Sequence, residues 1–455
     1  LIGYGSVKKK NATSAIENVK ADVFENRPIY NVTQALQGTA AGVNVVQNSG
    51  KPGQALNIKI RGNNSVSSGV DPLYVVDGIQ TRDISGINPD DIVDITVLKD
   101  ATSTAIYGIN GSAGVVIVTT KRGKANKPQL NFNAYVGVSN KVDNVDVLNL
   151  EQYKDLISEI NPAWLNTIND PMYAGINTDW VKKVYRTGFD QNYNVNYAFG
   201  NENVRAYTAL GYQNVQGVVS PSDFARTSAK VNLDAKITDW LKVTSSLNYM
   251  NTSLNNTADN NAGAQGGVIL SALTTPTFMP AYGSEVKIRP TDGSGNYLNG
   301  YKDGQFALNP FTGGWENPVS FMNRESDKTK TQRFLSNLGI DVNILKNLVW
   351  KSSVSLDYIT SRNEKFLDPY RSEWGRQQKG SGSKNDFTFQ DFNFENTLNY
   401  TLKSGVHDLG LLGGFQMHER MNSGQYYWGS QFADPMQSSF VYDKTNPAHG
   451  EVFRK

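Results

Sequence analysis

Apolar and polar residues alternate along several long segments after about residue 124. Between 130 and 138 the even-numbered positions are apolar, and asparagines stand between the first of them. Between 229 and 237 the apolar residues are odd-numbered, whereas polar residues such as Lys230 and Asn232 hold the even positions. Because successive side chains of a strand point to opposite faces, this pattern predicts strands with one apolar and one polar face.

The alternation predicts about nine strands. They lie near 129–139, 191–200, 203–213, 224–237, 241–251, 332–344, 347–359, 387–402 and 405–418. Strands of soluble sheets are typically about five or six residues long, whereas a tilted strand that crosses a bilayer needs about 9–11. The predicted lengths favour a transmembrane antiparallel β-barrel.

For two of these strands, the alternation predicts which side chains face lipid and which face the barrel lumen. On 224–237 and 347–359, one set of residues is expected to face lipid: Val231, Leu233, Trp350, Val354 and Leu356. The opposite set is expected to face the barrel lumen: Lys230, Asn232, Ser353 and Asp357. A charge at the bilayer midplane costs roughly 2–4 kcal/mol, so the parity should hold in the middle of each strand.

The connections between the predicted strands alternate in length. Three are tight, at 200–203, 238–240 and 345–346. Four are long, at 140–190, 252–331, 360–386 and from 419 onward, and 213–223 is intermediate. Outer-membrane barrels have short periplasmic turns and longer outer loops. A large soluble all-β protein, such as a carbohydrate-binding sandwich, remains an alternative. The odd strand number and a last segment interpreted as loop predict that the chain stops before the barrel closes.

The first part of the chain has a different pattern, typical of a small α/β domain. Short strands are predicted at 55–61, 73–76, 92–98 and 113–120. Short helices are predicted at 33–36 and 102–107, each followed by a glycine that suits a helix end. The pattern breaks near Gly123.

Composition narrows the function classes. The chain has 455 residues, a formal net charge of +2 and no cysteine. The charge gives no argument for nucleic acid as a partner, and a thiolate metal site or cysteine nucleophile is excluded. No run approaches the ~20 apolar residues of a membrane-spanning helix. The abundant Gly, Tyr and Phe, numbering 41, 22 and 19, suit turns and β-strands.

No pattern indicates an enzyme. The three histidines, His407, His418 and His449, form no zinc-binding spacing, and neither a nucleophile elbow nor a phosphate-binding loop is present. Paired acids for glycoside hydrolysis stay open. We therefore expect no enzymatic activity, no metal and no cofactor.

Three strings in the first part resemble the SusC/RagA family of TonB-dependent outer-membrane transporters. They run over 36–43, over 58–62 with 71–78, and over 97–123. In that family such strings mark the plug domain. The motif residues that carry the resemblance are Arg61, Gly62, Asp71, Pro72, Asp77, Gly78, Lys99, Asp100, Tyr107 and Gly108.

The resemblance implies a fold and a domain order. The barrel would have 22 strands, of which this chain holds the first part, with an N-terminal α/β plug. The expected divisions are an N-terminal segment after the TonB box at 1–19, the plug at 20–123 and the barrel at 124–455. The TonB-linked segment would include Leu1, Ile2, Gly3, Tyr4 and Gly5.

The resemblance also implies a function. It indicates import of a large nutrient, an oligosaccharide or a peptide, across the outer membrane of a Gram-negative, Bacteroidota-like bacterium. TonB of the inner-membrane energising complex, a SusD-like lipoprotein and outer-membrane lipid would be the partners. A scaffolding barrel in an outer-membrane assembly and a soluble glycan-binding β protein are the alternatives.

Other side chains are candidates for individual roles. Asp71 and Asp77 stand in turn dipeptides, where turn formation is favoured over metal binding. Arg61 is a candidate for hydrogen bonds to the barrel wall through its planar guanidinium, and an ordinary exposed arginine is the alternative. The candidate substrate or partner contacts are Asn63, Asn64, Trp315, Trp374 and Trp428, the tryptophans being predicted in long connections.

Overall fold

The computed structural model describes residues 16–23, 27, 29–47, 49–54, 56–60, 71–142, 145–256, 267–311, 316–404 and 407–454. Its first part holds seven short strands in the described residues. They are β1 (Ile16–Lys20), β2 (Val43–Val46), β3 (Asn57–Ile60), β4 (Leu73–Val76), β5 (Ile79–Thr81), β6 (Ile92–Leu98) and β7 (Val115–Thr120). Five of them form one sheet in the order β1-β6-β7-β4-β5, and β2 pairs with β3. The β4–β7 pair is parallel and the others are antiparallel.

Short helices connect these strands. The segment predicted as a helix at 33–36 is a 3-10 helix, Val32–Leu36, closed by a reciprocal cap between Asn31 and Gln34. Helix α1 (Ala101–Thr104) begins at Asp100, whose carboxylate accepts from the backbone N–H of Ser103, and continues as a 3-10 helix. The strands at 73–76 and 92–98 are confirmed, whereas β1, β2 and β5 were not predicted.

The second part forms a ten-stranded antiparallel sheet. Its strands are β8 (Gln129–Ser139), β9 (Gly188–Gly200), β10 (Val204–Gln216), β11 (Asp223–Lys236), β12 (Leu241–Asn256), β13 (Glu325–Leu345), β14 (Leu348–Leu367), β15 (Ser381–Ser404), β16 (His407–Ser430) and β17 (His449–Arg454). Each strand pairs with its neighbours in sequence.

Nine of these strands coincide with the predicted nine, and the tenth corrects the prediction. The last segment was expected to be loop, but β17 pairs with the outer part of β16. The last long connection also begins later than predicted, because β16 extends to residue 430. Its outer part carries few strictly alternating residues, so the sequence pattern gave no signal there.

The connections keep the predicted alternation. Tight turns occupy 201–203, 237–240 and 346–347, and long segments occupy 140–187, 257–324, 368–380 and 431–448. The three tight turns therefore lie at one end of the sheet, and the four long segments lie at the other. The connection 217–222 is intermediate in length.

The long connections fold onto one another as a helical layer, here termed the outer cap. Its helices are α2 (Leu150–Ile160), α3 (Leu165–Ile168), α4 (Trp180–Val184), α5 (Gly267–Thr274), α6 (Pro318–Asn323) and α7 (Glu373–Gln378). Trp180, Phe278 and Phe321 lie in its hydrophobic core. Across it, Arg324 pairs with Glu316 at 2.9 Å, and the Glu316 carboxylate accepts from the backbone N–H of Trp374 at 2.5 Å.

None of the helices in the described part of the chain combines the length and the apolar character needed to cross a membrane.

The two faces of the large sheet differ as the alternation predicts. On β11, Val231 is 44% exposed, whereas Lys230 and Asn232 are buried. On β14, Trp350 and Val354 are exposed and Asp357 is buried. The buried polar face is covered by the first domain, whose hydrophobic core also includes Met250 and Leu335 of the sheet. The first domain therefore lies against the polar face of the large sheet.

Candidate functional site: the interface between plug and barrel wall

Asp77 is the centre of the first group of contacts between the N-terminal domain (the plug) and the inner face of the sheet (the wall). It follows β4 with a positive φ of 49°, so the predicted turn is present. Its carboxylate accepts from the backbone N–H of Thr120 at 2.9 Å and from Lys230 Nζ at 3.3 Å. Ser246 of β12 donates to the same carboxylate at 3.3 Å. The sequence predicted the turn but not this ion pair.

The Asp77–Lys230 pair is almost completely removed from water, with side-chain exposures of 3% and 1%. Burial by itself raises the pKa of Asp77, but the Lys230 charge and the Thr120 hydrogen bonds outweigh it and hold the pKa below its usual value. Breaking such a buried pair on one side typically costs 3–5 kcal/mol. The pair therefore holds the plug against β11.

Arg226, also on β11, forms a second group of contacts. Its guanidinium donates to the backbone carbonyls of Tyr30 and Ile87 at 3.3 and 3.2 Å and to the side chain of Asn88 at 3.4 Å. Its side chain is 2% exposed. A planar guanidinium suits several carbonyl partners at once, so one wall residue fixes two separate plug segments.

Strands β9 and β10 contact the plug through polar side chains. Asn192 donates to Asp90 at 3.0 Å, and the hydroxyl of Tyr207 donates to Asp91 at 2.8 Å. Burial raises the pKa of the Asp91 carboxyl, and the Lys230 charge and the Tyr207 hydrogen bond offset this only in part. Asp91 is only 1% exposed, so its carboxyl is shielded from water at this contact.

Arg333 on β13 forms the third group. It pairs with Asp357 of β14 at 2.7 Å and donates to the backbone carbonyl of Asp83 at 2.8 Å and to the hydroxyl of Thr81 at 2.5 Å. Thr81 in turn donates to Asp357 at 2.8 Å. Arg333 and Asp357 have side-chain exposures of 4% and 1%, so this group is as dry as the first.

The segment that leads from plug to wall is itself fixed. Arg122 pairs with Asp234 at 2.9 Å, and the backbone N–H of Asn126 donates to the carbonyl of Gly200 at 2.9 Å. At Gly123 a Cβ would lie 2.5 Å from backbone atoms of Ala206. Only glycine fits this close approach, and it stands where the chain passes from plug to wall.

The predicted plug-motif residues have mainly structural surroundings. Lys99 pairs with Glu17 of β1 at 3.2 Å and donates to the carbonyl of Ala41. Asp100 caps α1, and Gly78 and Gly108 have positive φ values of 93° and 59°. Tyr107 packs against the cluster around Leu73 and Val115, and Asp71 and Pro72 immediately precede β4.

The predicted substrate contacts are separated. Trp374 lies in α7 of the outer cap and is 48% exposed. Trp428 was predicted in a long connection, which is wrong: it lies on β16 and stacks on Tyr426 at 5.5 Å. Several predicted positions lie outside the described residues: Leu1, Ile2, Gly3, Tyr4, Gly5, Arg61, Gly62, Asn63, Asn64 and Trp315.

Sequence reasoning missed the wall residues that hold the plug. Arg226, Lys230 and Arg333 lie on strands predicted from alternation, and the first two stand at inward positions in that pattern. A charged residue at the buried face of a strand is the available signal, because such a charge needs a partner. The partner itself lies far away in sequence and could not be identified.

Comparison with known proteins finds relatives along nearly the whole chain. The family described as TonB-dependent Receptor Plug Domain matches residues 8–115. The TonB-dependent receptor SusC of Bacteroides thetaiotaomicron is 30% identical over 446 residues, which cover 93% of this chain and 43% of that protein. The TonB-dependent receptor P26 of Formosa agariphila is 31% identical over 429 residues, 91% of this chain and 40% of that protein. The chain thus spans less than half the length of these curated relatives.

Solved structures share the arrangement of plug and wall. The RagAB peptide importer in the 'open-open' state superposes with a TM-score of 0.82 at 22% identity, over 100% of this chain and 53% of that chain. The ferric citrate transporter FecA in the unliganded form gives a TM-score of 0.56 at 11% identity, over 95% of this chain and 51% of that chain. At these identities the similarity shows the fold alone.

Proposed function

We propose, from the premise that this chain belongs to the SusC/RagA family of TonB-dependent receptors, that it forms the plug and part of the barrel of an outer-membrane importer. The observation that carries the proposal is the polar interface between plug and wall. Lys230, Arg226 and Arg333 reach from three levels of the wall to plug carboxylates, carbonyls and hydroxyls. Such an interface closes the lumen at rest.

A polar interface also suits a plug that must move. Water that enters a separated interface can hydrate charges and carbonyls, so the groups that hold the plug do not remain unsatisfied once it is displaced. An apolar interface of the same area would offer no such replacement. The interface is therefore suited to repeated opening under an applied force.

Different surfaces of the molecule suit different partners. Exposed apolar residues on that face, such as Phe132, Val136 and Leu338, suit outer-membrane lipid. The end with the long connections would meet a SusD-like lipoprotein. TonB would hold the segment before β1, because an extended segment can add to a partner's sheet edge through main-chain hydrogen bonds.

For the substrate we favour a neutral oligosaccharide. The register places Asp357, Asp391 and Arg420 at one level of the wall. Outward of that level, the inward-facing positions of β14–β16 are uncharged in the described residues until Lys365, which pairs with Asp327 at 3.2 Å. They are Ile359, Ser361, Asn363, Ser383, Asn385, Phe387, Phe389, Asn422, Gly424, Tyr426 and Trp428. Hydroxyls, amides and stacked aromatic rings suit sugars.

A peptide is the second candidate substrate. The similarity to a solved peptide importer supports it, and amide side chains can also bond a peptide backbone. Binding assays of the purified receptor with neutral oligosaccharides and with peptides distinguish the two candidate substrates. The oligosaccharide proposal requires that neutral oligosaccharides bind.

Removal of the N-terminal segment tests the import function. Deleting residues 1–5, with whatever precedes them, should abolish uptake into the periplasm and leave binding of the substrate at the cell surface intact. Binding needs the outer cap and the lumen, whereas release needs the plug to move. The control is a five-residue deletion, 292–296, in an exposed turn of the connection 257–324, which should leave uptake in place.

The alternatives predict other results. Uptake at the normal rate after the deletion would favour an energy-independent channel or a scaffold. Loss of binding together with uptake would show that the segment is structural. A soluble glycan-binding protein would be extracted without detergent.

A further inference from the structure

Two cavities separate the plug from the wall at opposite ends of the same strands. The outer cavity has a volume of about 310 Å³ and reaches Met250, Thr252 and Arg333 on the wall. The inner cavity, of about 1020 Å³, reaches Thr244 and Asn337. Because β12 and β13 line both, the cavities lie in one line from the long connections to the short turns.

The wall between the two cavities is short. On β12 only the inward-facing Ser246 and Asn248 separate Thr244 from Met250, and on β13 only Leu335 separates Arg333 from Asn337. At about 3.3 Å per residue, the four-residue step on β13 spans roughly 13 Å.

On the plug side, one short strand fills the gap. The outer cavity is lined by Asp83 and Gly86, and the inner cavity by Asp77 and Gly78. Between these positions lies β5, an edge strand of the plug sheet that, among the described residues, pairs with β4 alone, over three residues.

We propose that the segment 79–85, here termed the gate, moves away from β12–β14 and joins the two cavities into one route for the substrate. The inference rests on the proposed import function and names where in the plug the passage opens. The rest of the plug stays docked. Gly78, with φ of 93°, and Gly86 bound the gate and provide the backbone freedom for its motion.

The charges on either side of the gate explain why it opens before the rest of the plug. Arg333 and Asp357 both belong to the wall and stay paired when the gate leaves, so only their bonds to Thr81 and Asp83 are lost. Separating the plug from Lys230 would instead break a buried ion pair between plug and wall, which costs more because both charges lose their partner before water reaches them. Burial of Ile79 and Ile84 keeps the gate closed at rest.

Ion conductance of the full-length receptor in planar bilayers, with KCl as the probe, tests this. Arg333→Ala leaves the buried Asp357 unpaired beside β5 and should produce step-like K⁺ currents above the wild-type baseline. Arg226→Ala is the matched control, because it also removes a buried guanidinium that bonds plug carbonyls but stands outside the gap between the cavities. Its currents should be clearly smaller than those of Arg333→Ala.

A reversible disulfide between the gate and the wall distinguishes opening of the gate from misfolding of the variant. In Thr81→Cys/Asp357→Cys, whose parent side-chain oxygens lie 2.8 Å apart, oxidation should silence the current and dithiothreitol should restore it. A misfolded barrel would conduct in both states, which would contradict the proposal.

The other outcomes are also decisive. Equal currents from Arg333→Ala and Arg226→Ala would mean that the plug moves as a whole, and no current from Arg333→Ala would mean that β5 is not the barrier. Both results overturn the gate and leave import untouched, because the measurement uses neither TonB nor substrate. Failure of the N-terminal deletion to stop uptake would instead overturn the import function.

Discussion

Individual charged residues on the wall hold the plug, and Lys230 is the most buried of them. Lys230→Ala leaves Asp77 charged and unpaired and should lower the stability of the docked plug by about 3–5 kcal/mol. Resistance of the plug to added protease in detergent, measured against urea concentration, reports the change. Lys236→Ala is the control, because its pair with Asp239 is exposed by 50% and 97% and such pairs contribute about 0–1 kcal/mol.

Acid should weaken the same contact. The pKa of Asp77 is lowered in the folded protein, so its contribution to stability is complete above the usual carboxyl value of about 3.9 and is lost as the pH falls through the lowered folded value. Asp91 has the opposite effect on stability. Its pKa is raised in the folded protein, so protonation in acid removes the free-energy cost of burying its charge. Asp77→Asn should therefore lose less protease resistance than the wild type between neutral pH and the acid range below about pH 4. An identical pH profile for both proteins would contradict this assignment.

Trp428 tests the substrate assignment. Trp428→Ala removes an inward-facing ring that stacks on Tyr426, and we expect neutral oligosaccharide affinity to fall by up to about tenfold, since aromatic contacts contribute about 0.5–1.5 kcal/mol beyond area. Tyr427→Ala, next to it on the opposite face of β16, should leave affinity unchanged in titration calorimetry. Equal losses from both variants would count against a lumenal sugar site.

The sequence predicted these residue roles unevenly. Lys230 was placed correctly on the inward face because alternation fixes the face of every residue on a strand. Its partner Asp77 was interpreted only as a turn residue, because a contact over 153 positions leaves no trace in a local pattern. Trp428 was assigned to a loop, since β16 runs further outward than its alternation does.

Among the elements, long strands were predictable and short ones were not. Strand β11 alternates between its two faces over most of its 14 residues, whereas β5 has three residues and gains its stability from β4 and from wall residues such as Arg333. Tertiary contacts decide such short strands. The outer cap was likewise predicted only as long connections, because its helices are short and bury their apolar residues against each other.

The orientation of β11 gives an element-level test. Val231→Arg puts a charge on the exposed face in the middle of the strand and should cost about 2–4 kcal/mol at the bilayer midplane. The yield of folded barrel in lipid vesicles, measured by heat-modifiable electrophoretic mobility, should fall. Ser353→Arg on the inward, half-buried side of β14 should fold with near-normal yield, and the reverse order of yields would show that the register is wrong.

At the scale of the whole molecule, the wall, the plug and the outer cap each have a distinct structural role. The wall presents apolar residues outward and charges inward, the plug docks against those charges, and the cap joins the long connections over one end. The division into segments at 1–19, 20–123 and 124–455 stays a prediction. In the structure, β1 begins at Ile16 and already belongs to the plug sheet.

Accumulation of labelled neutral oligosaccharides by intact cells, with and without a protonophore, tests the central claim of energised import most directly. Cells that make the receptor should accumulate label in the periplasm, and the protonophore should stop accumulation while label still binds at the surface. Accumulation that continues at the same rate without the proton gradient would contradict the account.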